Sequence, residues 1–149
     1  YCGPLRLLAW EVTEILRNSE YLCTGDAIAC SLITGQEKDL MHASTHVSCT
    51  IEMANTNDIF DCAVIDEMQM IGDKERGWAW SQAFLGLQCR DIHVCGSRTF
   101  LPLLQEICAD TGDIVKVQEY DRLSPLVTSA AALDTYAHIS PGKPQLAAA

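Results

Sequence analysis

Ala63-Val64-Ile65-Asp66-Glu67-Met68-Gln69-Met70 is an apolar run that ends in two adjacent carboxylates. A buried strand cannot hold ionised acids along its length without a large desolvation cost, so the acids mark where the strand reaches solvent or a ligand. In parallel α/β sheets that end is where ligands bind. An Asp so placed can hold a nucleotide-bound magnesium ion, and a Glu beside it can orient or activate the water that attacks the terminal phosphate. An ordinary strand-to-loop junction gives the same pattern, so the motif alone leaves both readings open.

Outward from that strand, apolar segments and helical patterns alternate, as in a parallel sheet with crossover helices. Leu5, Leu8, Val12, Ile15 and Leu16 predict a helix over 5–17, with Pro4 in its first turn. Strands are expected over 27–33, 46–50 and 61–65, the last feeding the acids. Trp80, Phe84 and Leu87 form one stripe of a helix over 77–87, and 92–95 reads as a strand broken by Gly96. A helix over 100–109 tolerates Pro102 because it falls in the first turn, and Gly112 closes it. Ile114-Val115-Lys116-Val117 reads as a final strand near the sheet edge. From about Asp121 the composition changes to Ser-Pro, alanine-rich and Pro-Gly-Lys-Pro segments, so 1–120 reads as the domain and 121–149 as a linker and tail.

A length of 149 residues supplies one domain with a real core. No apolar run reaches the roughly 18 residues that span a bilayer, so no membrane partner is expected. The chain opens on Tyr1-Cys2-Gly3-Pro4, in what reads as a strand and without a basic segment leading into an apolar one. The natural N-terminus is therefore expected upstream. A net charge of −10 argues against strong autonomous binding to nucleic acid, since Lys and Arg supply most non-specific affinity. A domain of a larger assembly can still contact a backbone through hydroxyls, amides and a few Arg residues. Eight cysteines are scattered without a C-x-x-C pair, which reads as small buried hydrophobes in a reducing compartment. His42 and His46 have the i, i+4 spacing of a metal-binding helix, but Ala43 stands where a zinc protease would carry Glu.

Three further segments fall where strands should end on the ligand side. Gly3-Pro4-Leu5-Arg6 is a turn into a helix with one cation in its opening turn, suited to a phosphate backbone or simply a strand-to-helix turn. Ser48-Cys49-Thr50-Ile51-Glu52-Met53 offers hydroxyls for a phosphate or for a helix cap. Cys95-Gly96-Ser97-Arg98 is a tight turn whose alternative role is chain reversal.

Taken in order with Thr34-Gly35-Gln36-Glu37 and Val64-Ile65-Asp66-Glu67-Met68-Gln69-Met70-Ile71, these segments resemble the mitochondrial degradosome RNA helicases, ATP-dependent members of helicase superfamily two. Arg76-Gly77-Trp78-Ala79-Trp80, Leu85-Gly86-Leu87, His93-Val94-Cys95-Gly96 and Tyr120-Asp121-Arg122-Leu123-Ser124-Pro125-Leu126 are similar to the same family, so the resemblance covers about residues 1–126. It implies an α/β fold, a RecA-like parallel sheet with helices on both faces, as an incomplete N-terminal motor domain. ATP and Mg2+ are the implied cofactors, with Asp66 holding the metal and Glu67 positioning the attacking water. Gln69, where related helicases carry His or Asp, would couple the nucleotide site to the strand-separating surface. Arg6, Thr34, Gly35 and Thr50 would lie along the RNA backbone, with DNA or an RNA–DNA duplex as alternative substrates. Ser97 and Arg98 stand where such motors link hydrolysis to unwinding, although Ser-Arg-Thr departs from the family's pattern.

The resemblance also implies a second motor domain, an exoribonuclease partner and a mitochondrial matrix address. No G-x-x-x-x-G-K-[ST] loop occurs in the chain, and the family carries its version just upstream of Tyr1. Similarity fades at about Gly142, where the second motor domain and its arginine finger are expected. The expectation is therefore a piece of a helicase, inactive as a separate polypeptide. The alternative is a non-catalytic interaction module derived from a truncated helicase; a metabolite enzyme on a similar sheet would suit the fold but not the motif order.

Overall fold

The computed structural model describes residues 1–18 and 26–120. Six strands form one sheet: β1 (Cys2–Gly3), β2 (Cys30–Ile33), β3 (Lys38–Asp39), β4 (His46–Thr50), β5 (Ile59–Ile65) and β6 (Gln88–Val94), in the order β3-β2-β4-β1-β5-β6. Every pairing is parallel except that of β2 with β3, a short antiparallel flap the sequence pattern did not announce. Among the described residues three α-helices accompany the sheet: α1 (Arg6–Arg17), α2 (Gly77–Gly86) and α3 (Leu101–Thr111). The chain divides into two compact units, Tyr1–Val115 and Lys116–Ala149. Of the second, residues 116–120 are described and contain neither helix nor strand, and the expected linker over 121–149 lies outside the described residues.

Side chains alternate across a strand, so neighbours on β4 report which helix covers which face. Ser48 is buried and its Oγ donates to Ala9 O of α1 at 2.7 Å. Thr13 Oγ1, also buried, donates to the same carbonyl at 2.9 Å. Cys49 instead joins Cys2, Ile65, Met68, Ala79, Trp80 and Ala83 in the main apolar cluster under α2. Helices α1 and α2 therefore lie on opposite faces, the arrangement expected of a RecA-like domain. Gly77 lets α2 start tight against the preceding turn, because a Cβ there would collide with Ile71 O.

Several expectations shift. Leu5, extended at φ −133° and ψ 146°, is the N-cap of α1, so Pro4 precedes the helix and is not in its first turn. Strand β2 begins at Cys30 instead of 27, while β5 and β6 start earlier than their apolar cores suggested, at Ile59 and Gln88. Residues 114–117 form no strand. Ile114 is 89 % exposed and pairs with no strand among the described residues, since strand propensity without a buried face to pack does not make a ladder. Gly112 does close α3, in the left-handed region at φ 80°. His42 lies in a loop and His46 opens β4, so no helix carries the two together. Cys2, Cys30, Cys49 and Cys108 are buried, whereas Cys62 and Cys95 are exposed, which limits the buried-hydrophobe reading to part of the set.

Candidate functional site

The parallel strands bring the carboxyl ends of β1, β2, β4, β5 and β6 to one edge of the sheet, and the candidate segments follow directly from those ends. At the end of β5, Asp66 N–H still donates to Cys2 O at 3.0 Å, continuing the ladder to β1. Its carboxylate then leaves the sheet. Asp66 Oδ1 accepts from Glu67 N–H and Oδ2 from the Tyr1 hydroxyl, both at 2.8 Å. Burial, followed by the hydrogen bond and negative charge of Asp66, pushes the Tyr1 phenol well above its ordinary value. The Asp66 carbonyl is satisfied by the indole Nε1–H of Trp80 at 2.9 Å.

Glu67 sits in the left-handed region at φ 51° and ψ 47°, a conformation costing a non-glycine residue about 1–2 kcal/mol. Two hydrogen bonds on either side hold it there: Cys95 N–H to Ile65 O at 3.0 Å and Met68 N–H to Cys95 O at 2.8 Å. Strain of this kind gathers at functional sites, where surrounding structure over-determines the backbone. Gln69 connects the acids to β6: its Nε2 donates to Glu67 Oε2, and its Oε1 accepts from Ser97 N–H at 3.0 Å. Gly96, at φ +155°, makes room for that bridge, because a Cβ there would collide with Gln69 Oε1 and approach Met68 N to 3.0 Å. Ser97 Oγ bonds Thr99 Oγ1 at 2.6 Å, and Arg98 opens the 3-10 turn Arg98–Phe100. Partial burial, then the negative charges of Asp66 and Glu67, raise the Cys95 thiol above its ordinary range.

The other part of the edge is a groove of about 530 Å³ between the ends of β1, β2 and β4. Arg6, Gly35 and Thr50 all line it, so three residues singled out for one backbone path meet on one surface. Arg6 Nη1 donates to Gln36 Oε1, which aims the guanidinium across the groove. The Thr50 side chain caps nothing in the 3-10 turn Ile51–Met53, which leaves its capping alternative unrealised. Thr34 differs: it is 3 % exposed, and its hydroxyl accepts from Glu37 N–H at 3.0 Å and reaches Glu37 O at 3.3 Å. It sits in the turn that presents Gly35 and Gln36 to this groove, and together with Arg6 it lines a second cavity of about 220 Å³.

Sequence reading gave no site role to Arg76, Glu52 or Tyr1. Arg76 also lines the groove, and its Nη2 pairs with Glu52 Oε1 at 2.7 Å. Asp73 Oδ1 accepts from the Arg76 and Glu75 N–H groups at 2.7 and 2.9 Å, which holds the Asp73 carboxyl below its ordinary value. Asp followed by a helix start is a readable signal, and it could have located Arg76 at the N-cap of α2.

Among the described residues, no group of three or more His, Cys, Asp or Glu is placed to enclose a metal ion. Asp66 offers a single half-exposed carboxylate at a strand end. That donor set fits magnesium, which binds through one or two carboxylates while substrate phosphates and waters complete its shell.

Comparison with known proteins identifies the family. The family model described as the DEXQ-box helicase domain of Suv3 matches residues 1–120. The chain is 46 % identical over 142 residues to the mitochondrial DExH-box ATP-dependent RNA helicase DExH16 of Arabidopsis thaliana, covering 95 % of this chain and 24 % of that protein. It is 45 % identical over 142 residues to the mitochondrial ATP-dependent RNA helicase SUV3 of Oryza sativa, covering 95 % and 23 %. With the mitochondrial SUV3 homolog of Drosophila melanogaster the identity is 44 % over 146 residues, covering 95 % and 18 %. The chain thus spans less than a quarter of the length of each of these relatives.

Proposed function

Because the chain belongs to the Suv3 family of DEXQ-box helicase domains, we propose that it forms the acid-bearing part of a motor that couples ATP hydrolysis to RNA unwinding in mitochondrial RNA turnover. The observation that carries this reading is the hydrogen-bonded thread from Glu67 through Gln69 to Ser97, set on the same sheet edge as the Arg6–Thr50 groove.

Asp66 is assigned to magnesium, which when bound would offset phosphate charge. Glu67 stands one residue on, with its backbone turned into the left-handed region so that its carboxylate leaves the strand direction. There it can accept a proton from, and orient, the water that attacks the terminal phosphate. Gln69 ties that carboxylate to the Ser97 amide, so a change in the orientation of Glu67 is felt at the turn after β6. Arg6 and the Thr50 hydroxyl are assigned to phosphates of an RNA backbone, with Gly35 allowing close approach. Phosphate contacts of this kind position a strand without reading its sequence. An exoribonuclease acting on the unwound strand fits the same reading.

Residues 1–149 contain no G-x-x-x-x-G-K-[ST] loop, so phosphate binding needs groups beyond those on this edge. In the full-length protein, Glu67→Gln is expected to lower RNA-stimulated ATP hydrolysis by about 10²- to 10⁴-fold, the usual worth of a positioned general base. Retention of hydrolysis in that variant would remove Glu67 from its role. Purified residues 1–149 alone are expected to show no turnover; RNA-stimulated hydrolysis that vanishes with Glu67→Gln would contradict this.

A further inference from the structure

One side chain reaches both parts of the carboxyl edge. Arg76 Nη2 donates to Pro4 O at 2.7 Å, at the turn that launches α1 and Arg6. Its Nε donates to Glu52 Oε1 at 2.8 Å, at the end of β4 just past Thr50. Its Cζ stands 5.4 Å from the centroid of the Trp80 ring, within reach of a cation–π contact. Trp80 is fully buried, and its Nε1–H donates to Asp66 O at 2.9 Å.

The carbonyl of Asp66 needs that donor. Strand β1 pairs with β5 through Cys2 and Ile65 and ends at Gly3; the next residue in register, Pro4, has no N–H to donate, so the ladder leaves the Asp66 carbonyl without a donor. The indole takes the place of the ladder. An unbroken path of directional contacts therefore runs from the Arg6 turn and Glu52, through the guanidinium and the indole, to the backbone of the magnesium-side acid. Close-packed interiors transmit displacement, and a buried Trp clamped at ring and nitrogen has little freedom to absorb it.

We propose that Arg76 and Trp80 are positioning residues that couple occupancy of the Asp66–Glu67 site to the grip of the Arg6–Thr50 groove on an RNA backbone, by a route separate from the Gln69–Ser97 thread. The proposal rests on the motor reading above. Arg76 acts here as a brace between segments, since Glu52 already answers its charge.

The test uses the full-length protein, a fluorescent oligouridine and a non-hydrolysable ATP analogue with Mg2+. It reads the factor by which the analogue changes RNA affinity and the factor by which RNA changes analogue affinity. Linkage makes the two equal, and coupling between sites is typically about 5- to 150-fold. In Arg76→Met and Trp80→Phe both factors are expected to fall toward one by the same amount. Glu52→Gln keeps volume and an acceptor on a partly exposed side chain, so it tests the same path in a variant whose folding is not at risk, and a partial fall is expected there. A purely structural role would lower the thermal unfolding midpoint and leave the factor intact. An unchanged factor in folded Glu52→Gln together with either other variant overturns the proposal. Absence of coupling in the unmodified protein overturns the motor reading, and this link with it.

Discussion

The two parts of the carboxyl edge engage their charged groups differently. At the ends of β1, β2 and β4 two guanidiniums meet protein acceptors, Arg6 the neutral Gln36 amide and Arg76 the Glu52 carboxylate, which lines the same groove. At the ends of β5 and β6 the Asp66 and Glu67 carboxylates are reached by neutral donors, the Tyr1 hydroxyl, a backbone N–H and the Gln69 amide. Neutral donors orient a carboxylate without cancelling its charge. In the groove Glu52 answers Arg76, while neutral Gln36 leaves the charge of Arg6 in place, so under the proposed reading Arg6 is the cation that a phosphate backbone would meet in a chain of net charge −10. The parts also differ in backbone: the acid side holds Glu67 and Gly96 in positive-φ conformations, while Leu5 and Thr50 at the groove are ordinary extended residues.

That contrast can be broken at several points. The largest effect is expected where both parts depend on one packing contact. Gly77→Ala drives a Cβ into the Ile71 carbonyl at the start of α2, the helix that carries Trp80, and should destabilise the fold by about 3 kcal/mol, read from denaturant unfolding of residues 1–149. Gly96→Ala should cost about 2 kcal/mol but act on the acid side alone, since the new Cβ expels Gln69 Oε1 from its bond to Ser97. Amide exchange at Ser97 should accelerate while exchange in β4 stays slow; acceleration in both would mean the two parts are not separable.

Arg6→Ala should weaken RNA binding by the full-length protein across all sequences alike and reduce the salt slope by about one. A sequence-dependent loss would instead make Arg6 a base reader. The smallest effect is a probe of the uncancelled charge: with Asp66→Asn, one of the negative charges raising the Cys95 thiol is gone, so its pKa falls and more thiolate is present at pH 8. Alkylation of this exposed cysteine should then speed up by about two- to fivefold. No acceleration would show that the acids do not set the field at Cys95.

Raised thiol and phenol values also give a direction to the pH response. A group whose folded pKa is raised contributes stability that is whole below its unfolded value and lost as pH rises through the folded one. For Tyr1 the loss begins above about pH 10. Tyr1→Phe should flatten alkaline unfolding in that range without changing the response below it.

Much of this edge was legible in the chain. Hydrophobic runs ending in Asp66-Glu67, in Cys49-Thr50 and in Cys95-Gly96 placed three strand ends correctly, because burial of a parallel strand forces polar groups to its termini. Thr34 was placed on the RNA backbone path by the resemblance; only the fold shows its hydroxyl accepting from Glu37 N–H within the turn. Ile114–Val117 misled for a related reason, since β-branched residues favour a strand wherever one is offered and no ladder is offered there. Arg76 escaped notice because its partners stand 24 and 72 residues away in sequence.

The sequence by itself determined the alternation of strands and helices, the chemistry at each strand end and the family, because these depend on residue type and order along the chain. Tertiary structure decided which strand ends are neighbours, that Gln69 spans from Glu67 to Ser97, and that one guanidinium and one indole join the groove to the acids. Those contacts come from strand order and from side chains meeting across the sheet edge, and no local periodicity encodes either.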